Sequence, residues 1–104
     1  MSRPLTIEEK DSLLRLIKKE GEFVYKGKPI EKSLMKIGTL LESTTLDSKE
    51  KKVSFNGSCE FPSDLNYPHS TGPGIYEGTA NMTGLNEFEL NNPISIKKYL
   101  WWKN

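Results

Sequence analysis

Apolar residues recur at helical spacing near the N-terminus of the chain. The members of this stripe share one helical face: Ile7, Leu13, Leu14, Leu16 and Ile17. Thr6 and Glu9 have the spacing of a capping box, and Gly21 follows the last apolar residue as a typical C-terminal signal. The pattern predicts an amphipathic helix over 6–20, whose apolar face covers a sheet.

Further along the chain the hydrophobic period changes to two. Residues 53–61 alternate apolar and polar side chains, and 75–82 repeat the alternation, whereas 22–26 are simply rich in β-formers. Segment 39–46 also reads as a strand, and 31–37 is left undecided between helix and strand. The two alternating segments, 53–61 and 75–82, predict strands with one dry and one wet face.

Polar and Gly/Pro-rich segments separate these elements. Residues 27–29 and 84–86 read as turns, and 47–52 read as the solvated tip of a hairpin. After Phe88 and Leu90, the sequence Asn92-Pro93 has the composition of a helix start, but the aromatic and β-branched residues of 93–103 favour a strand. We therefore expect a strand at the C-terminal end.

The combination predicts a single α+β domain over residues 1–104. The N-terminal helix packs on one face of a mainly antiparallel sheet of about four to six strands. Gly78 and Ala80 leave space on the inner face of their strand, so a curled half-barrel is the alternative to an open sheet.

Composition restricts the classes of partner and the cellular location that we expect, but it does not indicate a function. The 104 residues include 13 Lys, 2 Arg and 1 Cys, and the net charge of +1 gives no field that would gather polyanions. No segment is long and apolar enough to span a membrane, and the first residues lack the apolar core of a secretory signal. We expect a cytoplasmic protein without a membrane contact. The Lys-rich composition is compatible with a small accessory protein of an AT-rich bacterial or phage genome.

The loop 62–74 is the most site-like stretch. It contains the one histidine of the chain and two nearby hydroxyls among residues that could contact a ligand or partner: His69, Ser70, Thr71, Gly72 and Gly74. The backbone of a glycine-containing loop can cradle an anion, although no phosphate-loop template is present. An ordinary surface loop is the simplest interpretation, and a small-ligand or nucleotide site is an alternative.

The remaining chemistry argues against an enzyme. Cys59 falls on the dry face of its strand, where a thiol acts as a small core residue rather than as a nucleophile. One His and one Cys without paired ligand spacing make no zinc site. We expect no catalytic residues, no metal and no cofactor.

Basic and aromatic residues are interleaved at the C-terminal end. If this segment is a strand, Trp101 and Trp102 face opposite sides, so one of them is exposed or covered by another chain. Together with Tyr99 they form a candidate contact surface for a protein partner. Because Lys97 and Lys98 stand beside these aromatic residues, single-stranded nucleic acid is the second, less favoured occupant.

The sequence therefore predicts a small non-enzymatic binding or inhibitory protein. Its partner is another protein or a copy of itself, including a homodimer. A small-ligand or nucleotide-binding protein and a single-stranded nucleic-acid binder are the two alternatives.

Overall fold

The computed structural model describes residues 1–40, 43–61 and 72–98, and within them one helix lies against one open sheet of eight strands. The helix α1 spans Ile7–Glu20. The strands are β1 Ser2–Pro4, β2 Phe23–Tyr25, β3 Lys28–Ile30, β4 Lys36–Leu40, β5 Thr45–Asp47, β6 Lys52–Phe61, β7 Gly72–Gly84 and β8 Glu87–Lys98. The chain is thus of the α+β class, as the sequence predicts.

Helix α1 begins at the predicted cap. The Thr6 hydroxyl accepts a hydrogen bond from the Glu9 backbone N–H, and the Glu9 carboxylate accepts one from the Thr6 N–H at 2.8 Å. Leu13 and Ile17 are fully buried against the sheet. Ile7, however, is 81% exposed, because Glu9 occupies the inward position of the first turn. The apolar part of the buried helical face therefore begins at Leu13 and not at Ile7.

An ion pair fastens β1 to α1. The Arg3 guanidinium donates one hydrogen bond to each carboxylate oxygen of Glu9, and both N–O distances are 2.8 Å. This bidentate contact, with the backbone hydrogen bond from Thr6, lowers the pKa of Glu9 to about 2 against the desolvating effect of burial. A carboxylate that is 5% exposed therefore stays ionised inside the first turn of the helix.

The sheet is built around the three longest strands, β6, β7 and β8. Its order is β1-β5-β6-β7-β8-β2-β3, with β4 beside β6 off this path. All pairings are antiparallel except that of β2 with β8, which is parallel. The eight strands exceed the expected four to six because β1, β3 and β5 have only three residues each, too few to show a period of two.

Several boundaries differ from the sequence prediction. The single strand expected over 39–46 is two strands, β4 and β5, and the undecided stretch 31–37 holds a short 3₁₀ turn, Lys32–Leu34, before β4 begins. The turn expected at 27–29 is shorter, because Lys28 and Pro29 already belong to β3. In each case the strand boundaries follow pairing with a neighbouring strand, because these segments are too short for their own sequence pattern to define where a strand begins and ends.

The C-terminal segment is a strand through Lys98, so the helix alternative is wrong for 93–98, and 99–103 lie outside the described residues. The Asn92 side chain instead joins β8 to the end of α1: its oxygen accepts from the Glu22 backbone N–H at 3.1 Å, and its nitrogen donates to the Glu20 carbonyl at 3.3 Å. Residues Phe88 to Lys98, expected as two segments, form one strand because β7 pairs with them on both sides of Asn92.

The core lies between α1 and the sheet. The rings of Phe23 and Phe55 flank Tyr76 at centroid distances of 5.9 and 6.2 Å. The space over Gly78 is filled by the Phe55 ring, which would lie 2.7 Å from a β-carbon there, so the absence of a side chain at this position lets the ring pack against the strand. Cys59 is 3% exposed in this core, as predicted.

Candidate functional site

The ends of three central strands, β6, β7 and β8, lie together at one end of the sheet. Phe61 of β6 pairs with Gly72 of β7, and Gly74 of β7 pairs with Lys98 of β8. The segment that follows Phe61 and the segment that follows Lys98 therefore start from the two strands that flank β7, at the same end of the sheet. The two stretches that the sequence indicates as contact regions are attached at the same end of the fold, which we call the 61/72/98 end.

Most of the predicted site residues fall outside the described ranges: His69, Ser70, Thr71, Tyr99, Trp101 and Trp102. The other two, Gly72 and Gly74, belong to β7 and pair with β6. The prediction that they are loop residues is wrong, because the ladder between β6 and β7 continues through them. The connection between these strands is thus shorter than the 13 residues expected from composition.

A surface recess of about 590 Å³ lies at the 61/72/98 end. Residues 36–38 of β4, 58–60 of β6 and Pro73 of β7 line it. Its volume is within the range of about 300–1,000 Å³ that is typical of ligand pockets. We call it the β4–β6–β7 recess.

An irregularity in β4 shapes the floor of the recess. The register shifts between Ile37, which pairs with Cys59, and Leu40, which pairs with Gly57. Two residues of β4, Gly38 and Thr39, therefore stand against Ser58 alone, which is the arrangement of a β-bulge. The Ser58 side chain occupies the place that a β-carbon on Gly38 would need, so a glycine is required there.

Of the charged side chains on and near the recess, some form an ion pair within the described residues and others do not. Lys36 and Glu60 are directly opposite across β4 and β6, both exposed, and neither forms an ion pair with a residue that the structure describes. Two strands away, Lys97 contacts Glu77 at 3.3 Å, with both side chains partly in water. The recess thus presents an available ammonium and an available carboxylate, whereas Lys97, part of the predicted basic segment, already has a partner.

Cys59 contributes to the lining without being a nucleophile. Burial, with a smaller contribution from the negative charge of Glu60, raises the pKa of its thiol to about 12. At neutral pH the group is therefore protonated and unreactive. No cluster of three metal-ligating side chains exists among residues 1–40, 43–61 and 72–98.

The sheet face opposite α1 is polar around the recess. Ser54, Glu77 and Ser95 are exposed on it, and the side chains of Asn91 and Thr79 bond to each other at 3.2 Å. This face has no second layer within the described part of the chain. Within these ranges the chain forms a two-layer α+β structure, with α1 on one face of the sheet and solvent on the other.

Comparison with protein-family models, with curated proteins and with solved structures finds no match to this chain. In the part of the chain that the structure describes, no helix has the length and apolar character needed to cross a membrane.

Sequence reasoning missed the recess. Its lining comes from three strands that are distant in the sequence, and only their pairing brings Lys36, Ser58 and Pro73 together. One local signal was available, because Gly38 interrupts an otherwise apolar stripe, and an isolated glycine in a strand suggests a bulge.

Proposed function

We propose that this chain is a non-enzymatic binding or inhibitory protein that contacts another macromolecule through its 61/72/98 end. The observation that carries the proposal is the meeting of the strand ends Phe61, Gly72 and Lys98 beside the β4–β6–β7 recess. Concave surfaces carried by rigid strands and flanked by chain connections are common places for recognition.

The chemistry of the recess supports binding more than catalysis. The thiol of Cys59 is protonated at neutral pH, and the described ranges hold no metal-binding cluster. Lys36 and Glu60 offer charges of both signs that a complementary protein surface can pair. Such charges at the rim of an interface contribute chiefly to orientation and specificity.

A site-specific cross-linking experiment tests the proposal. A photoreactive amino acid placed at Ser58, inside the recess, should trap a partner protein in cells of the source organism. The same amino acid at Ser54 is the matched control, because it lies on the same strand and the same face, outside the recess. Equal trapping at both positions, or none at Ser58, would contradict the proposal.

The volume of the recess supports a second candidate, a small-ligand or nucleotide site that the 62–74 segment helps to form. A ligand of this kind should raise the melting temperature, and the double substitution His69→Ala and Ser70→Ala should remove that increase while leaving the unliganded melting temperature unchanged. A screen of nucleotides and small anions that gives no shift would remove this candidate.

A further inference from the structure

The outer side of β4 is an open edge of the sheet within the described ranges. Strand β4 pairs with β6 alone, and outside this ladder no backbone hydrogen bond joins residues 36–40 to a described residue. In an antiparallel strand the backbone N–H and C=O groups of alternate residues point to opposite sides, so part of those of β4 point away from β6. We call this outer side the β4 edge.

The other two edges of the described sheet carry proline. Strands β1 and β3 are the outermost strands, have three residues each, and contain Pro4 and Pro29. Short length and proline both hinder an edge strand from pairing with another chain. Strand β4 has five residues and no proline, so every one of its residues retains an N–H. Its bulge limits further pairing to a short segment.

The described chain leaves room for a strand beside β4. Strands β5 and β4 pair with successive parts of the same side of β6, and β1 covers only the β5 part. After Pro4 the chain turns into α1 and does not continue along β4. A strand added at the β4 edge would therefore lie in line with β1.

A groove of about 190 Å³ opens between α1 and β4, on the helix side of the sheet. Its apolar lining consists of Ile7, Leu14 and Leu40. Ile7 belongs to the stripe that the sequence predicts as buried, yet its side chain is 81% exposed, and Leu14 and Leu40 are only half-buried. We call this groove the α1–β4 groove. It leaves apolar surface uncovered directly beside the open backbone of β4.

The β4 edge thus has a depression on each face, the α1–β4 groove on the helix side and the β4–β6–β7 recess on the other. Successive side chains of a strand point to opposite faces, so a strand paired with this edge directs one set into the groove and the other over the recess. Lys36 and Glu60 are opposite charges directly across from each other, so the recess selects no net charge. The groove selects an apolar side chain.

We propose that the β4 edge binds an extended segment of a partner protein as an added strand, with an apolar side chain of that segment in the α1–β4 groove. The inference rests on the proposed function and names the form and chemistry of the partner segment. In such strand addition, backbone hydrogen bonds contribute affinity and pockets for alternate side chains contribute specificity. A helical segment would leave the edge unpaired, because its own backbone groups already bond to each other.

Amide hydrogen exchange followed by NMR tests whether the edge is open. In the free protein, part of the amides of Lys36–Leu40 should exchange rapidly, whereas those at the centre of β7, which has a strand on both sides, should be protected. If all amides of Lys36–Leu40 are as protected as those of β7, another part of the same chain covers the edge and the inference is overturned.

A phage-displayed library of random linear peptides supplies the binding probe. The tightest peptide selected against the wild-type protein is synthesised, and its Kd is measured by fluorescence anisotropy. Ile7→Lys should weaken its binding by about tenfold or more, because it replaces apolar lining of the groove by an ammonium.

Leu85→Lys is the matched control. Leu85 is 88% exposed in the turn between β7 and β8, away from the groove, so the same kind of change there should leave the Kd unchanged. Circular dichroism establishes that both variants are folded. Ile7→Ser and Leu85→Ser provide the same comparison if a lysine variant unfolds.

N-methylation of the selected peptide, one residue at a time, tests the strand itself. A segment that pairs on one side uses the N–H of every second residue, so methylation should abolish binding at alternate residues and be tolerated at those between them. Binding of the unmethylated peptide should also slow the exchange of the rapid amides of β4 and leave those of β3 unchanged.

Three further results would overturn the inference: a selection that yields no binding peptide, a peptide that binds Ile7→Lys as tightly as the wild type, or a methylation profile without a period of two. If one of these occurs while Ser58 cross-links to a partner protein and Ser54 does not, the strand-addition inference fails and the proposed function stands. If Ser58 does not cross-link either, both fail.

Discussion

The phenol ring of Tyr76 lies over Gly57, its direct partner across β6 and β7. A β-carbon on Gly57 would overlap the ring and would stand 2.6 Å from the carbonyl oxygen of Thr39. The ring therefore crosses β6 in the space that the missing side chain leaves, and its hydroxyl is directed towards β4. This packing joins the centre of the core to the bulge that shapes the recess.

Replacing Gly57 by alanine should destabilise the fold, because the added methyl group meets a rigid ring on one side and backbone on the other. We expect a loss of about 1–3 kcal/mol in the free energy of unfolding. Urea denaturation measures it. In the double variant with Tyr76→Leu, the alanine should cost less than it does beside tyrosine. An unchanged cost would show that the ring is not the obstacle.

Replacing Tyr76 by phenylalanine should leave the protein as stable or more stable. The Tyr76 hydroxyl is buried and has no hydrogen-bond partner among the residues that the structure describes. A buried polar group without a partner costs about 1–3 kcal/mol, so its removal should raise the free energy of unfolding by about 1 kcal/mol. A clear loss of stability in the same urea assay would contradict this assignment.

Stability should fall in acid as Glu9 becomes protonated. Its folded-state pKa of about 2 is below the ordinary value of 4.5, so the contribution is complete above pH 4.5 and is lost as the pH falls towards 2. Glu9→Gln should lower the free energy of unfolding at pH 7 by about 1–2 kcal/mol, since Arg3 stays partly in water.

The dependence of the free energy of unfolding on pH provides the control for the ion pair between Arg3 and Glu9. The Glu9→Gln variant should show a flatter decline in stability between pH 4.5 and pH 2 than the wild type does. Glu8→Gln, a substitution at the exposed neighbour in the same helical turn, should leave the decline unchanged. Equal slopes for the wild type and Glu9→Gln would remove the Arg3 contact as the cause.

Stability should also fall in alkali because of Cys59. Burial raises the pKa of this thiol from 9.0 to about 12, so the folded state retains a proton that the unfolded chain releases. The contribution is complete below pH 9 and is lost as the pH rises towards 12. Denaturation of Cys59→Ala should show a smaller slope over this range, although the cavity lowers its stability at every pH. A slope equal to that of the wild type would contradict the assignment.

The success of the sequence prediction followed the length of each element. Helix α1 and the alternating strand at 53–61 were predictable, because many consecutive residues repeat one period. The short strands β1 and β3 were not, since three residues are stabilised by their neighbours in the sheet and not by their own pattern. The position of Cys59 in the core followed directly from alternation in β6.

The predicted contact regions stay a prediction, because most of their residues lie outside the described ranges. Their described attachment points lie at the same end of the sheet, and Gly72 and Gly74 proved to be strand residues. The recess itself depends on a bulge and on three strands from distant parts of the chain, so its lining could not be read from spacing along the sequence.

The sequence by itself determined the class of this protein, its capped N-terminal helix and the division of its longest strands into a buried and a solvated face. These features depend on local periodicity and on capping residues a few positions apart. Tertiary structure alone decided the strand order, the packing of the Tyr76 ring over Gly57, and the placement of the recess and the Leu85 turn at opposite ends of β7. The reason is physical, because pairing register and long-range packing bring together residues whose separation in the sequence carries no periodic signal.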